Sequence, residues 1–228
     1  MKNSVRAGRG RGVNLDPSKI GILALGSHEE RHGAALPPDT DAKLASHVAL
    51  EAAKRTGAKF LGVLYRSYEL PGIDTGHHHT LDEILEELRT VLLQAKSSLE
   101  VKTVVLVNGH GGNIPLRERL PAIEAELGVR LIFNNTLIDL EGPHAATEEL
   151  SMGAAIGIAD TSKLKEHADF ARHPEVGFVG LQEARRLYEW AERHALHIER
   201  TGIHVDLALG KKLLERAVID VVNDIRGL

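Results

Sequence analysis

The residues best suited to chemistry stand in two short polar segments. In the first, Glu30 and His32 are two positions apart, so an extended backbone points both side chains the same way. Asp41 follows at the predicted start of a helix, where the helix dipole favours a carboxylate and where an N-cap is the alternative role. Carboxylates and imidazoles gathered in one loop are typical of a site for a divalent cation or for proton transfer.

The second segment is Asn108-Gly-His-Gly-Gly-Asn113, with His110 at its centre. Its three glycines permit tight turns and a close approach of the backbone to a ligand or ion. A glycine-rich turn that binds an anion is the alternative, but the segment lacks the Gly-Lys-Ser/Thr ending of a phosphate loop. The central His110 favours a metal-ligand role for this segment over anion binding.

The elements that must position these segments alternate between strands and helices. Short apolar runs predict strands at residues 20–25, 59–64, 103–107 and 130–133. Helical spacing predicts helices that begin near Asp41 and after Thr80, and others at residues 114–127, 147–158, 181–195 and 207–225. This alternation predicts an α/β domain with a mostly parallel sheet. Ligands bind beyond the carboxyl ends of such strands, and both polar segments directly follow a predicted strand.

The bulk composition bounds the class of protein. The 228 residues, 43% hydrophobic and 26% charged, predict one globular domain at residues 19–228 behind a flexible arm at residues 1–18. In that arm, Arg9 and Arg11 have the alternative role of contacting an anionic substrate. The net charge of −4 argues against a nucleic-acid partner, and no apolar run is long enough to cross a membrane.

The chain has no cysteine and 13 histidines. The lack of cysteine fits a reducing compartment, so we expect a cytoplasmic protein. It also restricts any metal site to nitrogen and oxygen ligands, which suit Fe(II), Zn(II) or Mn(II).

The motifs together resemble the creatininase family of metal-dependent amidohydrolases. The first block is Glu-x-His-Gly-(x)3-Pro-(x)3-Asp at residues 30–41, and the second is the Asn-Gly-His-Gly-Gly-Asn segment. A third block, residues 144–151, is similar to the family's His-Ala-Gly-x-x-Glu-Thr-Ser. Three separated blocks in the same order, within a resemblance that spans about residues 20–220, make the match specific.

The resemblance implies a three-layer α/β/α fold with a mostly parallel sheet. Within the family, the first and third blocks look most like an archaeal subgroup of deformylases. The resemblance therefore implies removal of the formyl group, as formate, from 2-amino-5-formylamino-6-ribosylaminopyrimidin-4(3H)-one 5′-monophosphate, in riboflavin and deazaflavin coenzyme biosynthesis. Ala35 and Gly112 stand where creatininase itself has a histidine and an acid, which argues against creatininase activity.

The same resemblance implies the roles of individual residues. It implies two divalent ions per subunit, with Fe(II) favoured, and a homo-oligomer. Asp41 would bridge the ions, Glu30 and His110 would bind one, and His32 and Glu149 the other. Predicted catalytic residues are His144 and Glu149; predicted substrate contacts are Asn108, Gly111, Gly112, Asn113 and His78.

Alternatives remain at several of these positions. Glu149 has the alternative role of a helix-start carboxylate, and His77, His78 and His79 that of a polar loop before the Thr80 cap. His194 stands in no comparable motif and is expected to be structural or at the surface. The alternative functions are another amidohydrolase of the family, acting on a cyclic amide or peptide, and a metal- or nucleotide-binding protein without catalysis.

Overall fold

The computed structural model describes residues 16–228 of the chain. Most of the predicted arm, residues 1–15, lies outside the described residues; Asp16 caps a single 3-10 turn at Pro17–Lys19. The strands are β1 (Ile20–Leu25), β2 (Lys59–Leu64), β3 (Thr103–Asn108) and β4 (Arg130–Asn134). The helices are α1 (Thr40–Thr56), α2 (Leu81–Leu99), α3 (Leu120–Leu127), α4 (Thr136–Glu141), α5 (Thr147–Ala155), α6 (Leu164–His167), α7 (Gln182–Leu187), α8 (Glu189–Thr201) and α9 (Leu207–Arg226).

The four strands form one parallel sheet in the order β2-β1-β3-β4. The two central strands, β1 and β3, are buried along their whole length, whereas the edge strands β2 and β4 are only partly buried. Full burial explains why the central strands have continuous apolar runs instead of an alternating pattern. The predicted parallel sheet is confirmed.

Helices cover both faces of the sheet. On one face, α1 and α9 pack against Ile22, Val105 and Val107, with Val48 and Val221 among the fully buried helix residues. On the other face, α2 and α3 bury an aliphatic row against the alternate residues of β1 and β3. The predicted α/β/α layering is therefore confirmed, and it directs the carboxyl ends of β1 and β3 toward the same edge.

Local signals account for the positions of several helix ends. Thr80 accepts a hydrogen bond from the Glu83 amide, and Glu83 accepts one from the Thr80 amide, so the predicted capping box at the start of α2 is present. Asp39 is the N-cap position of α1 and Asp41 lies in the first turn, so Asp41 does not serve as the N-cap.

Two predicted helices differ from the structure. The segment 114–127 begins as a 3-10 helix at Gly111–Glu118, with Pro115 inside it, and becomes α-helical only at Leu120. The segment 181–195 is divided between α7 and α8 at Tyr188, whose extended backbone interrupts the helical pattern. Among residues 16–228, none of the helices combines the length and the hydrophobicity that a membrane span requires.

Candidate active site

The candidate site lies at the carboxyl ends of β1 and β3, where the two polar segments meet. The loop from β1 to α1 supplies Glu30 and His32, and the first turn of α1 supplies Asp41. His110 follows β3 as the N-cap of the 3-10 helix, and Glu149 lies in the first turn of α5. All five side chains are buried, and the structure brings all five predicted metal ligands into one cluster.

Asp41 divides the cluster into two halves. Its Oδ1 lies 2.9 Å from His32 Nε2, and its Oδ2 lies 2.9 Å from His110 Nδ1. His110 Nδ1 is also 2.8 Å from Glu30 Oε2, and His32 Nε2 is 3.3 Å from Glu149 Oε1. One carboxylate thus faces a Glu–His pair on each side, which is the geometry expected of a bridging ligand between two cations.

Three histidines are oriented by backbone carbonyl groups. The far ring nitrogen of His32 bonds to the Glu30 carbonyl at 3.2 Å, and that of His110 to the Tyr68 carbonyl at 2.8 Å. His144 donates through Nε2 to the Arg31 carbonyl at 2.8 Å. Because a carbonyl only accepts, each of these nitrogens carries the hydrogen and the other nitrogen of each ring faces the carboxylates. Metal-binding histidines in proteins are usually oriented by such a bond.

The electrostatics of the cluster favour added positive charge. Burial alone would lower the pKa of His32, but the carboxylates of Asp41 and Glu149 outweigh burial and hold that pKa well above its usual value. Burial likewise opposes charge on His110, and Glu30 and Asp41 raise its pKa well above the ordinary range. The carboxylates therefore attract a proton or a cation to the inner nitrogen of each ring.

The donor set fits divalent cations. Glu30, Asp41 and Glu149 are 2%, 4% and 1% exposed, and among residues 16–228 no lysine or arginine lies within ion-pair distance of them. The buried Oε1 of Glu149 lies 3.3 Å from His32 Nε2, which is closer to Asp41, and makes no well-formed hydrogen bond within that part of the chain. Buried carboxylates are costly unless a proton or a cation balances their charge. The groups Glu30/Glu69/His110 and His32/Asp41/Glu149 each bring three ligand atoms within 4.8 Å of one another.

A cavity of about 340 Å³ reaches this cluster. Glu30, Asp41, His110 and His144 line its polar part, whereas His32 and Glu149 are not on its wall. Much of the remaining wall is apolar or aromatic: Leu70, Ile73, Ile114, Ile138, Phe178 and Trp190. The volume and the mixed lining are typical of a pocket for a small molecule with one reactive polar end.

The predicted substrate contacts divide into two sets. Gly111 and Gly112 line the cavity, where a substrate could contact them. The wall does not include Asn108, Asn113 or His78. The polar atoms of Asn108 and His78 are hydrogen-bonded within the protein, whereas the buried Nδ2 of Asn113 has no hydrogen-bond partner among residues 16–228. Asn108 donates to the His110 carbonyl at 2.9 Å, and Asn113 accepts from the Tyr68 amide at 3.0 Å. In the described structure these asparagines therefore hold the loop that carries His110 instead of facing the cavity.

His78 lies behind His110 and is the third predicted contact off the cavity wall. Its ring stacks on that of His110 at 5.3 Å and is within hydrogen-bond distance of the hydroxyls of Ser67 and Thr75. Burial lowers the pKa of His78 to about 4, so the ring is neutral near neutral pH. The stacked His78 ring therefore supports the His110 ring.

Several cavity residues were not predicted from the sequence. Glu69 and Glu141 add two carboxyl groups to the wall, and burial raises the pKa of both. His194, expected to be structural or at the surface, lines the cavity beside Trp190, with ring centroids 5.8 Å apart. None of these residues stands in a motif; only the helical spacing of Trp190 and His194 indicates that the two share a face of α8.

Comparison with known proteins assigns the family. The creatininase family, described as creatinine amidohydrolase, matches residues 13–225. The chain belongs to the creatininase family. A 2-amino-5-formylamino-6-ribosylaminopyrimidin-4(3H)-one 5′-monophosphate deformylase of Methanosphaera stadtmanae is 46% identical over 217 residues, which cover 95% of this chain and 93% of that protein. The deformylase of the same name from Methanothermobacter thermautotrophicus is 47% identical, over 95% and 92% of the two chains.

Solved structures show the same fold at low sequence identity. A crystal structure of creatinine amidohydrolase has a TM-score of 0.64 at 17% identity, covering 91% of this chain and 89% of that one. The structure named "Creatininase Mn" has a TM-score of 0.65 at 16% identity, covering 92% and 90%. These likenesses confirm the creatininase-like architecture that the sequence motifs predict.

Proposed function

We propose that this chain is a metal-dependent deformylase that hydrolyses the formamide of 2-amino-5-formylamino-6-ribosylaminopyrimidin-4(3H)-one 5′-monophosphate. The observation that carries the proposal is the buried cluster in which Asp41 stands between Glu30–His110 and His32–Glu149. The relatives at 46–47% identity that bear this activity in their names support the choice of substrate. The reaction adds water to the formyl carbon and breaks its bond to nitrogen, releasing formate and an arylamine.

The proposed resident cofactor is a pair of divalent cations. Glu30 and His110 would hold one, His32 and Glu149 the other, and Asp41 would contact both. Bound cations of this kind lower the pKa of water and stabilise negative charge on a carbonyl oxygen. Iron(II) is our proposed native metal, and Zn(II) and Mn(II) suit the same carboxylate and imidazole ligands.

The chain's own groups supply orientation and proton transfer. The leaving nitrogen needs a proton, and His144 lines the cavity with Nδ1 toward the cluster, 3.8 Å from Glu30 Oε1. Its Nε2 donates to the Arg31 carbonyl, so Nδ1 is the ring nitrogen available for proton transfer. We assign His144 as the group that protonates the leaving nitrogen: its Nδ1 takes up the proton released by the attacking water and then gives it to that nitrogen. Glu149 is not on the cavity wall and its Oε2 accepts from the Ala145 amide at 2.6 Å, which favours the ligand role.

The cavity also bears on how the nucleotide binds. The apolar and aromatic wall suits the face of a pyrimidine ring, and Trp190 and Phe178 meet edge to face at 5.2 Å. Among residues 16–228, no lysine or arginine lines this wall. We propose that the pyrimidine end, which carries the formamide, lies at the cluster.

The direct test is product analysis with the formylaminopyrimidine nucleotide under anaerobic conditions. The proposal predicts formate and the diaminopyrimidine nucleotide in equal amounts, with activity restored to the chelated protein by Fe(II). Creatinine serves as the control substrate for the alternative amidohydrolase function and should not be turned over. Hydrolysis of creatinine without formate release from the nucleotide would refute the assignment.

The wider setting belongs to the same proposal. A deformylase of this substrate acts in riboflavin and deazaflavin coenzyme biosynthesis, and we place the protein in the cytoplasm as a homo-oligomer. Size-exclusion chromatography with light scattering tests the oligomeric state.

A further inference from the structure

The segment between α5 and α7 contacts two loops near the candidate metal centre, the β1–α1 loop and the α4–α5 loop. His167, at the end of α6, is fully buried. Its Nδ1 accepts a hydrogen bond from the Ala35 amide at 3.1 Å, and its Nε2 donates to the Ala145 carbonyl at 2.7 Å. Ala35 belongs to the loop that carries His32, and Ala145 lies two residues before Thr147, the first residue of the helix that carries Glu149. A single imidazole therefore joins the two loops.

Ala145 makes the link to Glu149 specific. Its φ is +52°, a left-handed conformation that is unfavourable for a residue with a β-carbon. In this conformation its amide donates to Glu149 Oε2 at 2.6 Å, while its carbonyl accepts from His167. The bond from His167 thus holds the backbone geometry that aims the amide at Glu149.

The backbone beside His32 is held in a similar way. Glu175, 1% exposed, accepts through Oε1 from the Gly33 amide at 3.0 Å. Gly33 has a φ of +69°, and a β-carbon at this position would overlap the His167 ring. The peptide that follows His32 therefore packs directly on His167 and is fixed by Glu175.

We propose that His167 and Glu175 are positioning residues for the His32–Glu149 half of the metal centre. Neither side chain lines the cavity, and neither belongs to the candidate metal groups, so both act through His32 and Glu149. The residues of the other half have contacts of their own. Glu30 shares the β1–α1 loop with His32, but Ser27 donates to its Oε2 at 2.9 Å and its backbone pairs with Gly76. His110 is held by the Tyr68 carbonyl and by its own loop. Loss of the positioning pair should therefore weaken one ion and spare the other. The inference rests on the proposed two-ion centre but not on the identity of the substrate.

The test is Mn(II) titration of the full chain by calorimetry, with unfolding temperature measured in parallel. His167→Phe keeps the ring but removes both hydrogen bonds, whereas His167→Gln retains one donor and one acceptor. His47→Phe is the matched control, since His47 is a half-buried histidine on α1 outside the ligand cluster. Outer hydrogen-bond partners of metal ligands typically contribute 10–100-fold in metal affinity.

The inference predicts two binding events in the wild type and in His47→Phe. In His167→Phe one event should weaken about 10–100-fold and the other should stay unchanged, with partial recovery in His167→Gln. In a His110→Ala background, which leaves only the His32–Glu149 half, His167→Phe should weaken the remaining event by the same factor. Glu175→Ala, which removes the acceptor for the Gly33 amide, should act in the same direction and decides the question if His167→Phe does not fold.

Equal weakening of both events in folded protein, or two unchanged events, would overturn the inference. Absence of Mn(II) binding by the wild type would overturn it together with the metal centre. Two Mn(II) ions bound without formate release from the nucleotide would instead count only against the proposed reaction.

Discussion

The replacement Asp41→Asn keeps the shape of the side chain and removes the charge shared by the two halves of the cluster. Each oxygen of Asp41 lies 2.9 Å from an inner histidine nitrogen, so the charge acts on both proposed ions. At an effective dielectric constant of about 20, a unit charge 4 Å from another contributes about 4 kcal/mol. A loss on the order of 4 kcal/mol per unit of ion charge corresponds to about 10³-fold in affinity, since about 1.4 kcal/mol is tenfold.

We therefore expect Asp41→Asn to retain fewer than two metal ions after dialysis and to lose at least about 10³-fold in formate release. Asp39→Asn is the matched control, because Asp39 is two residues away, half-exposed, and pairs with Lys43. Metal content is counted by elemental analysis, and circular dichroism establishes that both variants are folded. A folded Asp41→Asn protein with two ions and normal activity would refute the bridging role.

Three further outcomes are expected. His144→Gln should lower kcat about 10²–10⁴-fold while two metal ions stay bound, as elemental analysis would show; a parallel loss of metal would instead make His144 a ligand. Gly112→Ala should lower the unfolding temperature and weaken metal binding by the Glu30–His110 half, because a β-carbon at this position overlaps the Tyr68 carbonyl. An unfolding temperature equal to that of the wild type in scanning calorimetry would contradict this packing. Chelation should lower the unfolding temperature, since it leaves three buried carboxylates without cations, and an unchanged temperature would show that the cluster does not need them.

Much of the fold was predictable because the central elements carry strong local signals. The continuous apolar runs of β1 and β3 are typical of strands buried in a parallel sheet. The Thr80–Glu83 capping box places the start of α2 at the correct residue. The same alternation predicts which edge of the sheet holds the chemistry. Glu30, His32, Asp41 and His110 therefore meet although up to 80 residues separate them.

Where the predictions were wrong, the deciding information was not in the local pattern. Periodicity at residues 181–195 continues through Tyr188, yet the helix breaks there, and Tyr188 donates its hydroxyl hydrogen to the carbonyl of Pro71. The substrate contacts of Asn108 and Asn113 stay predictions; in the structure Asn108 donates to the His110 carbonyl and Asn113 accepts from the Tyr68 amide.

Residues that act through long-range contacts were not predictable either. His167 and Ala35 are 132 positions apart, and Glu175 and Gly33 are 142 apart. No spacing rule connects such pairs, because only the folded arrangement of the loops brings them together. The same holds for Glu69 and Glu141, which reach the cavity from separate loops and helix ends.

The central claim is that two loops at one edge of the sheet hold two divalent cations around Asp41. Anomalous diffraction from crystals grown with Mn(II) tests it most directly. The account predicts two manganese peaks that share Asp41, one beside Glu30 and His110 and the other beside His32 and Glu149. Crystals saturated with Mn(II) that show no peak within these carboxylates and imidazoles would contradict it.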